Sequence, residues 1–380
     1  MPARLYGNLG AEEWPTDRPS AARPERRAAV ARTVGLWSML FGRGCGFLEQ
    51  ELEPEWAASL GLRPDTAAWG WLDVDGGVPW LSTPAAERAL ASLDLAYEAP
   101  PAAVVRKVHD KAFAMAVARA SRLMPKELDP LIDVLTADEL AADDISARLW
   151  ERAHGWPEWT AGTMLIKPRW GGSGRGFRSS SSPIRLSDMA RRSGAVFEPF
   201  LHRGLDLSTQ LHVGRKGDVT VLGTTRMRFG RLGGPAGNRG VIDRDSRIHA
   251  GTPYDREVAE AAVTVARAAA AEGFFGPCGV DAFTWSEQPG DDGCQHLRPV
   301  VELNARFTTG TVAVGLVERA LAAGLVAPPG VWWLGLGSKP ERREAAARAP
   351  GVTALVLGDR ADAGLLCFAR DEETLAQMSV

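Results

Sequence analysis

Four glycines fall within six residues, at Gly171, Gly172, Gly174 and Gly176, directly behind the apolar pair Leu165-Ile166 and the cation Lys167. A strand that runs into such a segment must end in a loop whose backbone N–H groups are not covered by side chains. Loops of that kind can wrap phosphate oxygens, and Lys167 adds a fixed positive charge beside them. The segment is not a P-loop, because Gly-Lys-Ser/Thr does not close it, and no GxGxxG register fits Trp170-Gly171-Gly172-Ser173-Gly174-Arg175-Gly176. The alternative reading is a flexible surface turn.

A second constraint lies further along. Gly279-Val280-Asp281-Ala282-Phe283 and Val300-Val301-Glu302-Leu303-Asn304-Ala305-Arg306 each set a carboxylate in an apolar run. A carboxylate withdrawn from water needs a partner. If the two runs pair as a hairpin, Asp281, Glu302 and Asn304 could share one face, since Glu302 and Asn304 are two apart. Two carboxylates and an amide oxygen suit Mg²⁺, which takes few protein ligands and completes its shell with water and phosphate. An ion pair with Arg306 or another arginine is the plainer alternative.

Around these segments the chain reads as mixed helix and strand. Residues 1–103 look like a separate unit. It has a Pro- and Arg-rich opening at 15–27, an apolar stretch at 28–41, a Trp-bearing hairpin or strand-turn pair at 67–80, and Pro100-Pro101 at its end. Helical spacing covers 104–121 and 136–154. Strands are expected at 163–166, 195–197, 206–213 and 218–226, with a short helix at 186–192. Residues 227–252, rich in Gly and Arg without an apolar period, read as a long surface loop. Apolar residues at Val258, Ala261, Ala262, Val265 and Ala269 make 254–272 the clearest helix, closed by Gly273. Strands at 278–285 and 296–303 follow, joined by a polar turn at 287–295. A helix from 310 to about 323, the stretch 328–337, a charged helix at 339–348 and a strand-strand-helix tail complete the chain.

Taken in order, these motifs resemble the ATP-grasp superfamily of carboxylate-amine ligases over about 220 residues. His109-Asp110-Lys111 is similar to the family's Asp-Lys opening, and Ile166-Lys167-Pro168 with the glycine loop to its second lysine and phosphate loop. Phe197-Glu198-Pro199-Phe200-Leu201 resembles the hinge that holds adenine, and Asp206 stands where a ribose-binding acid is often found. Asp281, Glu302 and Asn304 match the metal-binding set, and Arg306 matches the arginine of the Asn-x-Arg ending. Asp281 departs from members that use glutamate there.

The resemblance implies an α/β (α+β) ATP-grasp fold, with two α/β subdomains clasping ATP. It divides the chain into an N-terminal α/β domain (1–103), a small subdomain with the phosphate loop (104–200), a large subdomain with the metal site (201–325) and a C-terminal α/β tail (326–380). It implies nucleotide contacts from Lys111, Lys167, Gly171, Gly172, Ser173, Gly174, Gly176, Glu198, Pro199, Phe200, Leu201 and Asp206. Asp281, Glu302 and Asn304 would hold Mg²⁺ or Mn²⁺, and Asn304, Arg306 and Arg226 would serve the reaction. Arg226 and Arg228 could supply a further phosphate or substrate cation or be surface residues, and the loop from Phe229 to Gly251 could close over an anionic substrate or be a solvated, mobile loop. The implied chemistry is ATP-dependent activation of a carboxylate as an acyl phosphate and its capture by an amine, with release of ADP and phosphate. An ATP-grasp-type kinase and a non-catalytic ATP-binding regulator are the alternatives.

Composition narrows the rest. Lys plus Arg at 44 against Asp plus Glu at 47 leave a net charge of −3, which argues against nucleic-acid binding through bulk charge. Apolar residues at 45% and charged residues at 24% suit a soluble globular chain. Four scattered cysteines do not make a disulfide framework, and no apolar run approaches a membrane span, so a cytoplasmic protein is expected. Small-molecule substrates are the expected partners, and a homodimer is the family-level expectation. Cys278, Cys294 and His296 fit no common zinc spacing. His109 could be a general base or a structural histidine, and no Gly-x-Ser-x-Gly elbow is present.

Overall fold

Strands buried along most of their length, with helices packed on the sheet they form, build one large antiparallel sheet in the second half of the chain, and two smaller sheets accompany it. The computed structural model describes residues 3–8, 33–42, 45–47, 66–160, 163–171, 177–179, 186–230, 234–290, 295–337, 339–357 and 364–376. Among these, the strands in chain order are β1 (Arg4–Tyr6), β2 (Gly46–Phe47), β3 (Gly77–Pro79), β4 (Asp133–Leu135), β5 (Met164–Pro168), β6 (Phe177–Ser179), β7 (Ala195–Pro199), β8 (His202–Val213), β9 (Val219–Phe229), β10 (Pro235–Ile242), β11 (Ile248–His249), β12 (Gly276–Ser286), β13 (His296–Asn304), β14 (Gly330–Gly335), β15 (Val352–Leu357) and β16 (Gly364–Ala369). The large sheet has the order β13-β12-β8-β9-β10-β14-β16-β15, with β11 paired to β10. The small sheet has the order β4-β7-β5-β6, and β2-β1-β3 form a parallel sheet near the N-terminus. The strands of the tail thus extend the same sheet that carries β12 and β13.

Each side of the large sheet has its own cover. Helix Asp255–Ala271 buries Val258, Ala261, Ala262, Val265, Ala266 and Ala269, and Val258 meets Leu207, Ala250 and Ala282 on one face. We call this the outer face. On the inner face helix Thr309–Ala322 packs over β8, β9, β10 and β12. Its first turn is capped by Thr308, whose hydroxyl accepts from Thr311 N–H at 3.0 Å. Arg319, buried in the same helix, donates to the carbonyls of Phe41 and Thr66 and so ties the N-terminal unit to the sheet. Trp37, Trp80 and Phe307 pack together across the same junction.

Several sequence expectations need correction. The segment 67–80 is not a hairpin: a 3-10 turn, Gly70–Leu72, precedes β3, and β3 pairs in parallel with β1. The helical stretch 104–121 is two helices, Ala102–Val108 and Lys111–Ala120, because the Asp110 carboxylate accepts from Ala112 N–H at 2.9 Å and starts a new helix. The reach at 136–154 divides into Ala137–Leu140 and Ile145–His154, the first opened by a Thr136–Glu139 capping box. The expected loop at 227–252 is mostly sheet. β9 runs on to Phe229, and β10 and β11 fill much of the remainder. Gly237, with φ +155°, allows the close pairing of β10 with β14, where an added Cβ would stand 1.9 Å from the Leu334 carbonyl.

Candidate active site

Strand register assembles the acids. Asp281 of β12 lies directly opposite Glu302 of β13, and Gly279 opposite Asn304, so the three expected residues share the inner face. Asn304 Nδ2 donates to Asp281 Oδ2 at 3.1 Å, and Asn304 Oδ1 accepts from Arg306 Nη2 at 3.1 Å. Lys111, the first residue of its helix, reaches Glu302 Oε2 at 3.2 Å and donates to the Gly171 carbonyl at 2.6 Å. Burial, and the Glu302 carboxylate opposite, push Asp281 up to about 7. Burial would raise Glu302 as well, but Lys111 and Lys167 draw it down to about 2. One carboxylate is held ionised by two lysines, while its neighbour is raised by burial first and by the adjoining charge second.

Behind Asp281 stands a polar chain that the sequence reading did not single out. Ser208 Oγ donates to Asp281 Oδ1 at 2.7 Å and accepts from Gln210 Nε2 at 2.8 Å. Gln210 Oε1 in turn accepts from the hydroxyls of Thr308, at 2.5 Å, and Thr311, at 3.0 Å. Ser208 and Gln210 alternate along β8 with Asp206, so a period of two was the available signal. Buried groups bonded in series fix the Asp281 rotamer and leave its second oxygen to Asn304.

The hinge carries a second charge cluster. Glu198, buried in β7, gives Oε1 to Lys167 Nζ at 2.5 Å and Oε2 to Arg298 Nη1 at 2.9 Å. Burial opposes its ionisation, yet Arg298 and Lys167 bring Glu198 down to about 2. Arg298 was missed, although a charge in the run Leu297-Arg298-Pro299-Val300 raises the same question as Glu302. Beside it, Phe283 lies under the guanidinium groups of Arg203 and Arg298 at 4.1 and 5.6 Å. Asp206, opposite Phe283 in the register, pairs with Arg203 Nη2 at 2.9 Å. The Phe200 amide donates to the Thr163 carbonyl at 2.7 Å and so is already engaged, while Leu201 is buried beside it. Pro199 closes β7 opposite Met164.

The other expected residues fall as follows. Gly171 lies beside Lys111, whereas Gly172, Ser173, Gly174 and Gly176 are outside the described residues. Arg169 grips Asp110 and fastens the approach to the glycine loop onto the Lys111 helix. Arg306 donates to the Phe307 carbonyl at 2.8 Å as well as to Asn304. Arg226 is not brought together with the acids. It pairs with Leu207, whereas its neighbour Thr225 pairs with Ser208, so Arg226 stands on the outer face. There it donates to the carbonyls of Ala250 and Gly251 and meets Glu372 at 2.7 Å. Arg228, two residues on, lies over Trp333. His109 is buried and accepts from Ala305 N–H through Nδ1 at 3.1 Å, and burial with Arg306 and Lys111 nearby lowers it to about 3. It is a structural acceptor. Cys278 is buried, His296 stacks on Trp285, and Cys294 lies outside the described residues.

Among the described residues no group of three or more His, Cys, Asp or Glu side chains could cage a metal ion. The donor set is two carboxylates and a carboxamide, which fits a cation that takes its remaining ligands from phosphate and water. The like charges of Asp281 and Glu302, set opposite each other, fit such a cation too. No described helix is long and apolar enough to cross a membrane.

No protein-family model matches the sequence, and no curated protein matches it. Solved structures do match. N5-carboxyaminoimidazole synthase from Aspergillus clavatus, in complex with ADP and 5-aminoimidazole ribonucleotide, superposes with a TM-score of 0.55 at 12% identity, covering 100% of this chain and 99% of that one. N5-carboxyaminoimidazole ribonucleotide synthetase from Thermus thermophilus gives 0.55 at 16% identity, over 100% and 96%. Pyruvate carboxylase from Rhizobium etli gives 0.54 at 14% identity, and this chain spans 37% of its length. The fold is the α+β ATP-grasp fold, as the order of motifs led us to expect.

Proposed function

We propose that the protein is an ATP-dependent ligase that activates a small-molecule carboxylate as an acyl phosphate and joins it to an amine, releasing ADP and phosphate. The observation that carries this reading is the pairing of Asp281 with Glu302 across β12 and β13, with Lys111 at Glu302 and Lys167 close enough to act on its charge. Two acids and two lysines in one site suit a polyphosphate and its divalent cation. Lys111, Lys167 and Gly171 would neutralise and cradle phosphate oxygens. Asp281, Glu302 and Asn304 would hold Mg²⁺, which when bound offsets the charge on the transferring phosphoryl group. The backbone around Leu201 would face the base and Asp206 the ribose, while the buried Glu198 carboxylate is held by Arg298. Arg306, fixed by Asn304 and Phe307, would hold the substrate carboxylate in line. Positioning and charge neutralisation do most of the work in such transfers.

The test is product analysis after incubation with Mg-ATP and pooled amines and carboxylic acids. ADP, phosphate and a new condensed mass are expected. ADP with a phosphorylated product and no condensation would replace the ligase by a kinase, and AMP with pyrophosphate would refute the acyl-phosphate route.

A further inference from the structure

The two oxygens of Glu198 are taken by cations from different parts of the molecule. Lys167 and Glu198 are diagonal neighbours on β5 and β7 of the small sheet, whereas Arg298 belongs to β13 of the large sheet. Arg298 is 1% exposed, and its Nη2 has no hydrogen-bond partner among the described residues. Its Nε makes a long contact of 3.4 Å to the Val300 carbonyl. A guanidinium buried this deeply needs a counter-charge, and Glu198 supplies it. Yet Glu198 already has one partner in Lys167, so the cluster carries two positive charges for one negative charge. Lys167 is the more weakly held cation in one respect: its side chain is 16% exposed against 2% for Arg298, so it is the one that can turn toward the cleft.

We propose that Arg298 is a positioning residue that releases Lys167 for phosphate by acting as the standing counter-ion of Glu198. In the empty cleft both cations share the carboxylate. When a nucleotide polyphosphate enters, Lys167 leaves Glu198 for a phosphate oxygen, and Glu198 stays neutralised by Arg298. Without Arg298, Glu198 would have Lys167 as its sole counter-ion, and phosphate would have to compete with a buried carboxylate for that lysine. The same bond ties the two sheets together at the hinge, since Glu198 belongs to β7 of the small sheet and Arg298 to β13 of the large one. This inference rests on the nucleotide reading given above.

The experiment measures ADP and adenosine affinity by calorimetry, with thermal unfolding of every variant, for the wild type, Arg298→Met, Arg298→Lys and the double variant Glu198→Gln/Arg298→Met. Arg298→Met is expected to weaken ADP by at least about tenfold while leaving adenosine within about twofold, because only the phosphate contact needs Lys167. Arg298→Lys should keep ADP within about threefold, and the double variant should regain most of the ADP affinity because Lys167 has lost its competitor. Equal losses for ADP and adenosine would make Arg298 part of the nucleoside pocket or of the fold and would overturn the proposal. So would an unchanged ADP affinity in Arg298→Met, or a double variant no better than the single one. If Arg298→Met does not fold, the double variant and Arg298→Lys decide, since neither buries an unpaired carboxylate. A wild type that binds neither ligand would sink the nucleotide reading itself, whereas wild-type binding with indifferent variants sinks the counter-ion exchange alone.

Discussion

Replacing Glu302 by Gln separates the electrostatic part of this site from its structural part. Glu302 faces Lys111 at 3.2 Å and lies opposite Asp281, so the substitution removes one attraction and one repulsion. Breaking a buried ion pair by deleting one partner typically costs about 3–5 kcal/mol. Here two features reduce that figure. Lys111 keeps the Gly171 carbonyl at 2.6 Å, and Asp281, raised by burial and then by Glu302, is relieved of that repulsion. The expected net loss of stability is therefore below the usual range, under about 3 kcal/mol, read as a small shift in the urea midpoint. Turnover should respond quite differently. A glutamine cannot supply the charge that balances a divalent cation, and losing one preorganised electrostatic group in a water-poor site costs on the order of 10²–10³ in kcat. The assay is ADP release from Mg-ATP under the substrate conditions found by product analysis. Turnover within about threefold of wild type would refute the metal assignment. A stability loss of about 3–5 kcal/mol would refute the relief of Asp281.

Two further outcomes follow from the packing. His109 is lowered from 6.5 to about 3 by burial, so between those values the unfolded chain takes up a proton that the folded chain refuses. Its contribution is complete above pH 6.5 and is lost as pH falls, at up to about 1.4 kcal/mol per unit, and Glu198 adds a loss of the same sign between 4.5 and about 2. Asp281, raised to about 7, works in the opposite sense over this window, so the readout is the difference between proteins: from pH 7 to pH 5 the urea midpoint of the wild type should fall relative to that of a His109→Gln variant, and parallel profiles would remove His109 from the account. Gly237→Ala should destabilise by on the order of 2–4 kcal/mol, because the new methyl meets the Leu334 carbonyl between β10 and β14. An unfolding midpoint like that of wild type would mean that β10 does not pair with β14 in this register.

How much of this could be read in advance depends on whether a segment's signal lies in itself or in its partner. Helix Asp255–Ala271 displays its own apolar face, and the expected span differs from the observed one by a residue at each end. The hairpin of β12 and β13 was readable because Asp281 and Glu302 interrupt apolar runs, and the register sets them opposite each other as the spacing suggested. β10 has no such signal. Asn238 is buried through the hydroxyl of Thr225, Gly240 is shaped by Trp332, and Arg239 stands opposite Arg226, so neither face shows apolar alternation. Its strand character comes from β9 and β14, both distant in sequence or hidden by the same glycines. The break at Asp110 was hidden for a similar reason, since helical spacing continues through it and only the capping bond to Ala112 and the grip of Arg169 reveal a boundary.

Arg298 shows where such reasoning stops and what would extend it. The rule that found Glu302, a charge inside an apolar strand must have a partner, applies equally to Arg298, but the partner lies 100 residues away on the other sheet. Glu198 in turn was read only as a hinge residue, because its neighbours Val196, Phe197 and Pro199 say nothing of charge. Neither residue explains the other until β7 and β13 face each other across the cleft. Buried charges are therefore best matched as a set: Lys111 with Glu302, Lys167 and Arg298 with Glu198, and Asp281 left with neutral donors from Ser208 and Asn304. Among the described residues that matching leaves Asp281 with neutral hydrogen-bond donors, and burial and the Glu302 charge outweigh the pull of Arg306 on it, so this is the place where a cation would gain most.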